Sequence, residues 1–350
     1  MCPARTPKET TFFPLPCQLE PTKELTPERF VSDFGTRCQD SLLDFATKME
    51  KKKKILKITL FQGSLGMSKF ESGEWVLLTS QKGKKWLVRL EDVPYSSHLG
   101  GIHLGDIVGK EEGDWLITSK GAKLMLFRPT LEDYIFSMKR HTQIIYPKDL
   151  SAMIFYGDIY PGCTVLESGV GAGALALALL RSMCGRGRLI SVEKRPEVAL
   201  GARENISRFF GHNPENHKII VADIQHVAIT CKVDRVFVDL PEPWHAVPNF
   251  SGMLKMGGLL VSLSPNVGQV QLMYRELKAN GFGDIVTFEL MRRDWKVDQL
   301  RARPNDRMVA HTGFITMAKR VSEARDMGVE EEEREGDLEQ KIDGEPGPGL

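Results

Sequence analysis

The glycine-rich segment Glu167–Gly173, with the sequence ESGVGAG, constrains the fold of this chain more than any other feature. It begins where the predicted strand Thr164–Glu167 ends, and it ends where a helix begins that the apolar spacing of residues 173–183 predicts. Glycines at such a junction let the backbone turn sharply and approach a ligand closely. Because open α/β sheets bind ligands in the crevice beyond their strand ends, the segment predicts a ligand loop in an α/β sheet.

Strands alternate with helices around and beyond this loop. Strands are predicted over residues 164–167, 188–193, 218–222, 235–239 and 258–263, and helices over 173–183, 196–210 and 268–279. This alternation indicates parallel strand pairing in a doubly wound, Rossmann-like sheet. Two later strands, residues 284–290 and 312–317, are joined by a polar connection and are expected to pair antiparallel at one edge.

The pattern divides the chain into four parts. Residues 1–66 are predicted to be a poorly organised extension with a short helix over 26–49, dispensable for activity, which leaves Met67 as a candidate start. Residues 67–130 predict a small β-rich domain, with a hairpin around Gln81–Lys84 and short strands over 103–109, 115–119 and 123–128. Residues 131–320 are assigned to the α/β domain, opening with helices over 131–139 and 149–158, and the acidic tail 321–350 is expected to be disordered.

Charge is distributed unevenly along the chain. The formal net charge is +1, but residues 321–350 hold eleven acidic and three basic side chains, which leaves residues 1–320 at +9. A basic body favours a polyanionic partner, although such an excess also serves solubility alone.

The sequence also bears on compartment and metal content. No stretch approaches the roughly eighteen apolar residues of a membrane span, and residues 1–30 lack a signal-peptide core. The six cysteines form no CxxC pair, and no histidine cluster adds further metal ligands. We therefore expect a soluble, cytoplasmic protein with no bound metal and no membrane partner.

Carboxylates at the strand ends indicate which ligand the glycine loop takes. The spacing of Gly169, Gly171 and Ala174 also fits a nicotinamide dinucleotide, so an oxidoreductase remains an alternative. Glu167, however, would repel a pyrophosphate and suits the cationic amino-acid end of S-adenosylmethionine. Glu193 is then expected to accept from the ribose hydroxyls and Asp223 from the adenine amino group, unless these two residues simply cap their strands.

The fourth strand ends in the sequence DLPEPW, residues 239–244. Its two prolines stiffen the turn, and Asp239 is expected at the carboxyl edge, facing the cofactor crevice and able to meet an exocyclic amine. The alternative interpretation is that these residues form an ordinary turn after a strand, without a functional role. Their occurrence after this glycine loop disfavours that alternative.

With these motifs in place, residues 67–320 resemble the tRNA (adenine(58)-N1)-methyltransferase family, particularly its bacterial single-subunit form. The matching stretches are Gln143–Asp149, Glu167–Gly173, Asp239–Trp244, Ser264–Asn266 with Gln269 and Val270, Arg293–Trp295 and His311–Phe314. The glycine loop departs from the commoner family form, because Val170 and Ala172 stand where Ser or Thr is usual. The departure keeps the turn but removes possible hydroxyl contacts.

The resemblance implies a class I S-adenosylmethionine-dependent methyltransferase fold behind an N-terminal β module, assembled as a homotetramer with tRNA as substrate. It implies that Asp239 holds the target adenine, that Tyr146 lies beside that base and that Gln143 closes over the cofactor. Gly169, Gly171 and Gly173 would then form the cofactor loop together with Glu167. A non-catalytic tRNA-binding subunit of such an enzyme is the remaining alternative, although degeneration should erase the glycine loop or the Asp239 turn, and both are intact.

Overall fold

The computed structural model describes residues 69–140, 142–227 and 229–322. The predicted N-terminal extension, with its helix over 26–49, lies outside the described residues, as does the acidic tail from residue 323 onward. Within the described ranges, no helix is long and apolar enough to cross a membrane. The same ranges contain no group of three or more His, Cys, Asp or Glu side chains arranged to hold a metal ion.

The first described region is β-rich. Its strands are β1 Trp75–Ser80, β2 Lys85–Arg89, β3 Pro94–Ser97, β4 Gly100–His103, β5 Trp115–Ile117 and β6 Lys123–Phe127. Four of them form one antiparallel sheet in the order β2-β1-β6-β5, and a separate hairpin joins β3 to β4. A compact apolar cluster that includes Phe70, Leu78 and Ile107 fills this region. The predicted hairpin around residues 81–84 is present, with Leu77 paired to Leu87.

The strand predicted over residues 103–109 is wrong. Only His103 belongs to a strand, and Leu104–Ile107 form a 3-10 turn whose two apolar ends are both buried. The 3-10 geometry explains this burial, because it places residues three apart on one side of the turn.

A seven-stranded sheet organises the rest of the structure. Its strands are β7 Thr164–Ser168, β8 Arg188–Glu193, β9 His217–Val221, β10 Val233–Val238, β11 Leu254–Ser264, β12 Phe282–Glu289 and β15 Phe314–Arg320. Their order is β12-β15-β11-β10-β7-β8-β9, and the five strands from β11 to β9 are parallel. β15 runs antiparallel to both of its neighbours, which agrees with the antiparallel pair expected at one edge.

Helices cover both faces of this sheet. They are α1 Leu131–Ser137, α2 Pro147–Tyr156, α3 Ala174–Met183, α4 Pro196–Phe210, α5 Val247–Met253 and α6 Val267–Ala279. Alternate strand residues enter opposite cores: Val165 packs in the cluster of α1 to α4, while Leu166 packs in the cluster of α5 and α6. The doubly wound α/β fold is thereby confirmed. The connection predicted only as polar contains a further hairpin, β13 Trp295–Val297 with β14 Ala302–Pro304.

Candidate active site

Three carboxylates converge at the carboxyl edge of the sheet. Glu167 lies on β7, Glu193 ends β8 and Asp239 follows β10, and these strands are neighbours in the order β10-β7-β8. Burial, assisted by the negative charge of Glu193, raises the pKa of Asp239 to about 6. Burial raises the pKa of Glu167 further, to about 8, with the charges of Asp239 and Glu193 adding to the rise. The cluster therefore favours a ligand that brings positive charge or hydrogen-bond donors.

Gly169 allows two strand ends to approach each other closely. Its φ is +88°, and a Cβ atom at this position would lie 2.1 Å from the backbone carbonyl oxygen of Asp239. The Gly169 amide donates to the carbonyl of Val192 at 2.9 Å, and the Asp239 amide donates to the carbonyl of Ser168 at 3.0 Å. Only glycine fits here, because both the conformation and the space exclude a side chain. Gly173, at φ +90°, is the N-cap residue directly before α3.

A segment before α2 lies over the glycine loop. Gly171 has a φ of +52°, and a Cβ atom there would lie 3.3 Å from the Oγ1 atom of Thr142. The buried Asn205 side chain on α4 donates to the carbonyls of Lys139 and Ala172, at 2.9 and 3.0 Å. These contacts hold Lys139 and Thr142 against the loop.

Gln143 and Tyr146 continue this segment toward α2. Gln143 is exposed and directly follows Thr142, so the structure brings it to the rim of the glycine loop. Tyr146 precedes the first turn of α2, is 38% exposed and has the ring of Phe136 as an edge-to-face neighbour, with centroids 6.5 Å apart. Both side chains are therefore accessible to a ligand.

Glu193 and Asp223 already have protein partners. The Glu193 carboxylate, only 5% exposed, accepts from the Gly171 amide at 3.4 Å and from the Arg195 side chain at 3.1 Å. Asp223, which follows β9, accepts from Lys194 Nζ at 2.9 Å and from the Gln225 amide at 3.0 Å. The bond from Lys194 is the main cause that lowers the pKa of Asp223. Glu193 thus braces the glycine loop, while a ligand at Asp223 has to compete with Lys194.

Several residues at this edge were not predicted from the sequence. Ser191 Oγ contacts Glu167 Oε2 at 2.5 Å and His217 Nε2 at 2.9 Å. A sequence signal existed for Ser191, since it is polar within an apolar strand and lies two residues before Glu193, on the same face. His217, Thr142 and Asn205 carry no comparable signal, because their roles depend on contacts between distant segments.

Several buried oxygens at this edge have no hydrogen-bond partner among the described residues. Glu167 Oε1 and Ser168 Oγ are a neighbouring pair of them, both on fully buried side chains. Buried polar atoms are normally satisfied, so the pair marks a place for donors supplied from outside the chain. The ammonium group of an amino-acid moiety fits this donor requirement and the local negative charge.

A second polar cluster fixes the start of α2. Lys148 Nζ donates to Asp149 Oδ1 at 2.7 Å, to the carbonyl of Leu290 at 2.6 Å and to Thr312 Oγ1 at 2.5 Å. The Thr312 hydroxyl donates to Asp149 Oδ2 at 2.6 Å, and Asp149 is fully buried. The cluster joins α2 to the ends of β12 and β15, and so sets the position of Tyr146 at the start of the helix.

His311 joins another pair of motifs. Its Nε2 atom lies 2.8 Å from the carbonyl of Pro265 and its Nδ1 atom 2.6 Å from Glu289 Oε1. These two contacts, the carbonyl first, raise the pKa of His311. The segments around residues 265 and 311, far apart in sequence, therefore meet beside the end of β11.

The predicted turn after β10 is compact. Residues Pro243–Ala246 form a 3-10 turn in which Pro243 and Ala246 are buried. Trp244 is partly buried and packs against the core of α5 and α6. Asp239 is therefore followed by a rigid turn.

A doubly wound sheet with a glycine loop after β7 and carboxylates at the adjacent strand ends defines a class I S-adenosylmethionine-dependent methyltransferase. Solved structures agree with this class. An S-adenosylmethionine-dependent O-methyltransferase from Thermotoga maritima aligns with a TM-score of 0.70 and 35% identity, over 73% of this chain and 96% of that one. A tRNA (m1A58) methyltransferase TrmI from Aquifex aeolicus aligns with a TM-score of 0.66 and 29% identity, over 73% of this chain and all of that one.

Sequence comparisons identify the family within that class. The model of the tRNA methyltransferase complex GCD14 subunit matches residues 123–337, and the TrmI-like N-terminal model matches residues 69–115. A tRNA (adenine(57)-N(1)/adenine(58)-N(1))-methyltransferase TrmI from Methanocaldococcus jannaschii is 33% identical over 73% of this chain and 98% of its own length. The tRNA (adenine(58)-N(1))-methyltransferase TrmI of Thermus thermophilus is 34% identical over 70% and 96%.

The chain belongs to the GCD14/TrmI family of tRNA (adenine-N1)-methyltransferases, as the sequence resemblance predicted. This membership favours a methyltransferase over a nicotinamide oxidoreductase and over a non-catalytic tRNA-binding subunit.

Proposed function

We propose that this protein transfers a methyl group from S-adenosylmethionine to N1 of adenine in tRNA, at position 58 of the T-loop. The observation that carries the proposal is the convergence of Glu167, Glu193 and Asp239 around the glycine loop in a chain of this family. The names of the relatives from Methanocaldococcus jannaschii and Thermus thermophilus supply the base and the position.

The carboxyl edge offers a complementary surface for the cofactor, which supplies an electrophilic methyl group on a sulfonium centre. We assign the amino-acid end to Glu167, whose Oε1 atom lacks a partner, with Gly169, Gly171 and Gly173 forming the backbone cradle. Glu193 is assigned to the ribose and Asp223 to the adenine amino group, where Lys194 has to yield or share its partner. Gln143 is assigned to close over this site.

Asp239 is assigned to the target base. Adenine N1 carries a free lone pair near neutral pH, so methyl transfer needs no base to remove a proton. Asp239 has only to accept a hydrogen bond from N6 and to stabilise the positive charge that grows on the purine. With a pKa of about 6, its carboxylate is mostly ionised at pH 7, as this role requires. We also count Asp239 among the groups that contact the cofactor.

Tyr146 is assigned a stacking role beside the target base. The adenine has to leave its stacked and paired position before its N1 atom can be methylated. Stacking on an exposed aromatic ring compensates part of the free-energy cost of that extrusion. The cluster of Lys148, Asp149 and Thr312 holds the start of α2 and therefore the position of this ring. The charge of +9 over residues 1–320 supports tRNA as the partner, and we propose assembly as a homotetramer.

The test is methylation of unmodified tRNA by the purified full chain with labelled S-adenosylmethionine, followed by mapping of the product nucleoside. We expect 1-methyladenosine at position 58, and no product from a matched tRNA carrying G at that position. Methylation of another base, or tRNA binding without any methyl transfer at saturating cofactor, would contradict the proposal. A nicotinamide oxidoreductase would instead show saturable binding of NAD and none of S-adenosylmethionine.

A further inference from the structure

A chain of hydrogen bonds leads from the carboxyl edge of the sheet to its flank. Ser191 Oγ on β8 lies 2.5 Å from Glu167 Oε2 on β7 and 2.9 Å from His217 Nε2 on β9. Glu167 and Ser191 are fully buried, whereas His217 is partly exposed. The other oxygen of the same carboxyl group, Glu167 Oε1, has no partner among the described residues. The hydrogen-bond chain therefore runs from the candidate ligand site at Glu167 to the partly exposed His217.

The single hydroxyl proton of Ser191 can point in only one direction at a time. If Glu167 is ionised, Ser191 donates to it and must accept from an Nε2–H of His217. If Glu167 is protonated on Oε2, it donates to Ser191, which then donates to an unprotonated Nε2 of His217. The geometry therefore permits two complete arrangements, which differ in the tautomer of His217.

The charged groups around both ends favour the second arrangement in the absence of a ligand. Glu167 faces Asp239 after β10 and Glu193 on β8, and both are acidic, while the Ala176 amide on α3 and the Ser191 hydroxyl favour its ionised form. Burial and these acidic neighbours raise the pKa of Glu167 to about 8. Burial, with Arg203 on α4, lowers the pKa of His217 to about 4, so its ring is neutral at pH 7 and can accept a hydrogen bond.

We propose that the hydrogen bonds from Glu167 through Ser191 to His217 reverse their direction when the cationic end of the cofactor binds at Glu167. Ser191 and His217 are then positioning residues for the ionised carboxylate. The proposal rests on the cofactor site assigned above. It adds two residues, neither of which has to touch the cofactor, to the set that determines cofactor affinity.

The reversal conserves every proton. The proton on Glu167 Oε2 passes to Ser191 Oγ, and the original Ser191 proton passes to His217 Nε2. The Nδ1–H proton of the ring is released to solvent, which leaves His217 neutral in its Nε2–H form. One proton leaves the protein for each cofactor bound, and the new negative charge on Glu167 faces the bound ammonium group.

Linkage fixes the sign of the pH dependence. A bound cation lowers the pKa of Glu167 from its raised value, so binding releases a proton between the two pKa values. Cofactor affinity should therefore rise with pH up to about pH 8, the pKa of the free site, and then level off. Proton release by itself reports the ionisation of Glu167, so the tautomer of His217 is the readout that a purely structural role for Ser191 and His217 would leave unchanged.

Two measurements on the full chain without tRNA test the proposal. Calorimetry of S-adenosylmethionine binding at pH 7, in buffers of different ionisation enthalpy, counts the protons released. We expect the wild type to release about one proton more than Glu167→Gln, which has none to release. Nuclear magnetic resonance of 15N-labelled histidine reports the tautomer of His217, assigned by loss of its signals in His217→Gln. We expect a change from Nδ1–H to Nε2–H on cofactor addition.

Variants distinguish loss of this hydrogen-bond chain from general damage to the fold. Ser191→Ala should bind the cofactor about tenfold or more weakly, because a hydrogen bond to a charged group is lost, and should abolish the tautomer change. Glu167→Gln, which mimics the protonated acid, should keep His217 in its Nδ1–H form with or without cofactor. His98, in the β-rich region against Trp86, serves as the internal control whose resonances should not move.

The outcomes distinguish this proposal from the proposed function. If S-adenosylmethionine fails to bind the wild type, both are overturned. If it binds without a tautomer change at His217, the hydrogen-bond chain through Ser191 and His217 is overturned and the cofactor assignment stands. A Ser191→Ala protein that melts like the wild type and retains full affinity also overturns the chain alone.

Discussion

Asp239 combines a raised pKa with a rigid backbone position. Its pKa of about 6 means that the fold itself disfavours the charge, while its amide and carbonyl are fixed by the contacts with Ser168 and Gly169. A side chain whose charge costs stability is a candidate for a role other than folding. This separates the effect of Asp239 on chemistry from its effect on stability.

Substitution of Asp239 should therefore affect chemistry and not folding. We expect Asp239→Asn, which keeps an acceptor oxygen but loses the charge, to reduce the single-turnover methylation rate by about 100-fold or more, and Asp239→Ala at least as much. Melting temperatures should be unchanged or slightly higher, and cofactor affinity should fall much less than the methylation rate. Near-normal methylation by a well-folded Asp239→Ala would rule out the assigned role.

The pH dependence of the reaction should report the same carboxylate. Because the ionised form accepts from N6, the single-turnover rate should fall as pH drops through about 6 and be level above it. At saturating cofactor, wild-type profiles between pH 5 and 8 should show this limb, and Asp239→Asn should lack it. A wild-type rate that stays constant down to pH 5 would contradict the assignment.

Gly169 is the position where the backbone itself is under the tightest constraint. Gly169→Ala adds a Cβ atom 2.1 Å from the Asp239 carbonyl oxygen at a φ of +88°, so β7 and β10 must separate. Gly211→Ala is a matched control, because its φ is +75° but no atom lies within 4 Å of the added Cβ. The control should cost about 1 to 2 kcal/mol from conformation alone.

We expect Gly169→Ala to cost clearly more than Gly211→Ala in chemical denaturation and to abolish methylation. Equal losses of stability in the two variants would show that the close approach of the strand ends carries no extra energy.

At the scale of elements, segments with a strong apolar pattern were the most predictable part of the fold. β8 and α4 have the predicted bounds, because an apolar run interrupted only by Ser191 and a strong helical period leave few alternatives. Short hairpins were missed: β3 begins at Pro94 and contains two serines, and β13 and β14 lie in a charged segment. Their stability comes from pairing, which local sequence does not reveal.

The candidate site divides in the same way. The meeting of Glu167, Glu193 and Asp239 was predictable, because the carboxyl ends of parallel strands share one edge of a sheet. The contacts of Asn205 with residues 139 and 172, and of His217 with Ser191, were not. They join segments whose separation is fixed only when the helices have packed.

The buried cluster at the start of α2 should contribute to stability through one hydroxyl group. Thr312→Val keeps the shape but leaves the fully buried Asp149 Oδ2 without its donor, at a cost of about 1 to 3 kcal/mol. Thr312→Ser is the matched control, since it keeps the hydroxyl that donates to Asp149. Denaturant titration should show the larger loss for Thr312→Val, and a similar loss for both would contradict this energetic assignment.

At the scale of the whole molecule, activity should reside in residues 67–320. The family matches begin at residue 69, and every assigned site residue lies between 143 and 239. We expect a chain beginning at Met67 to retain cofactor affinity and methylation rate within about twofold of the full chain. Both quantities should be measured on preparations with matched melting curves. Loss of soluble, active protein would contradict the predicted dispensability of residues 1–66.

The position of β15 between β11 and β12 governs how the sheet is completed during synthesis. β11 is the longest strand, with eleven residues, and about 50 residues separate its end from the start of β15. At typical translation rates this leaves one edge of β11 unpaired for roughly 3 to 10 seconds, while β12 has already emerged. Since an open strand edge is a template for wrong pairing, this edge of β11 is exposed to mispairing until the last strand enters the sheet.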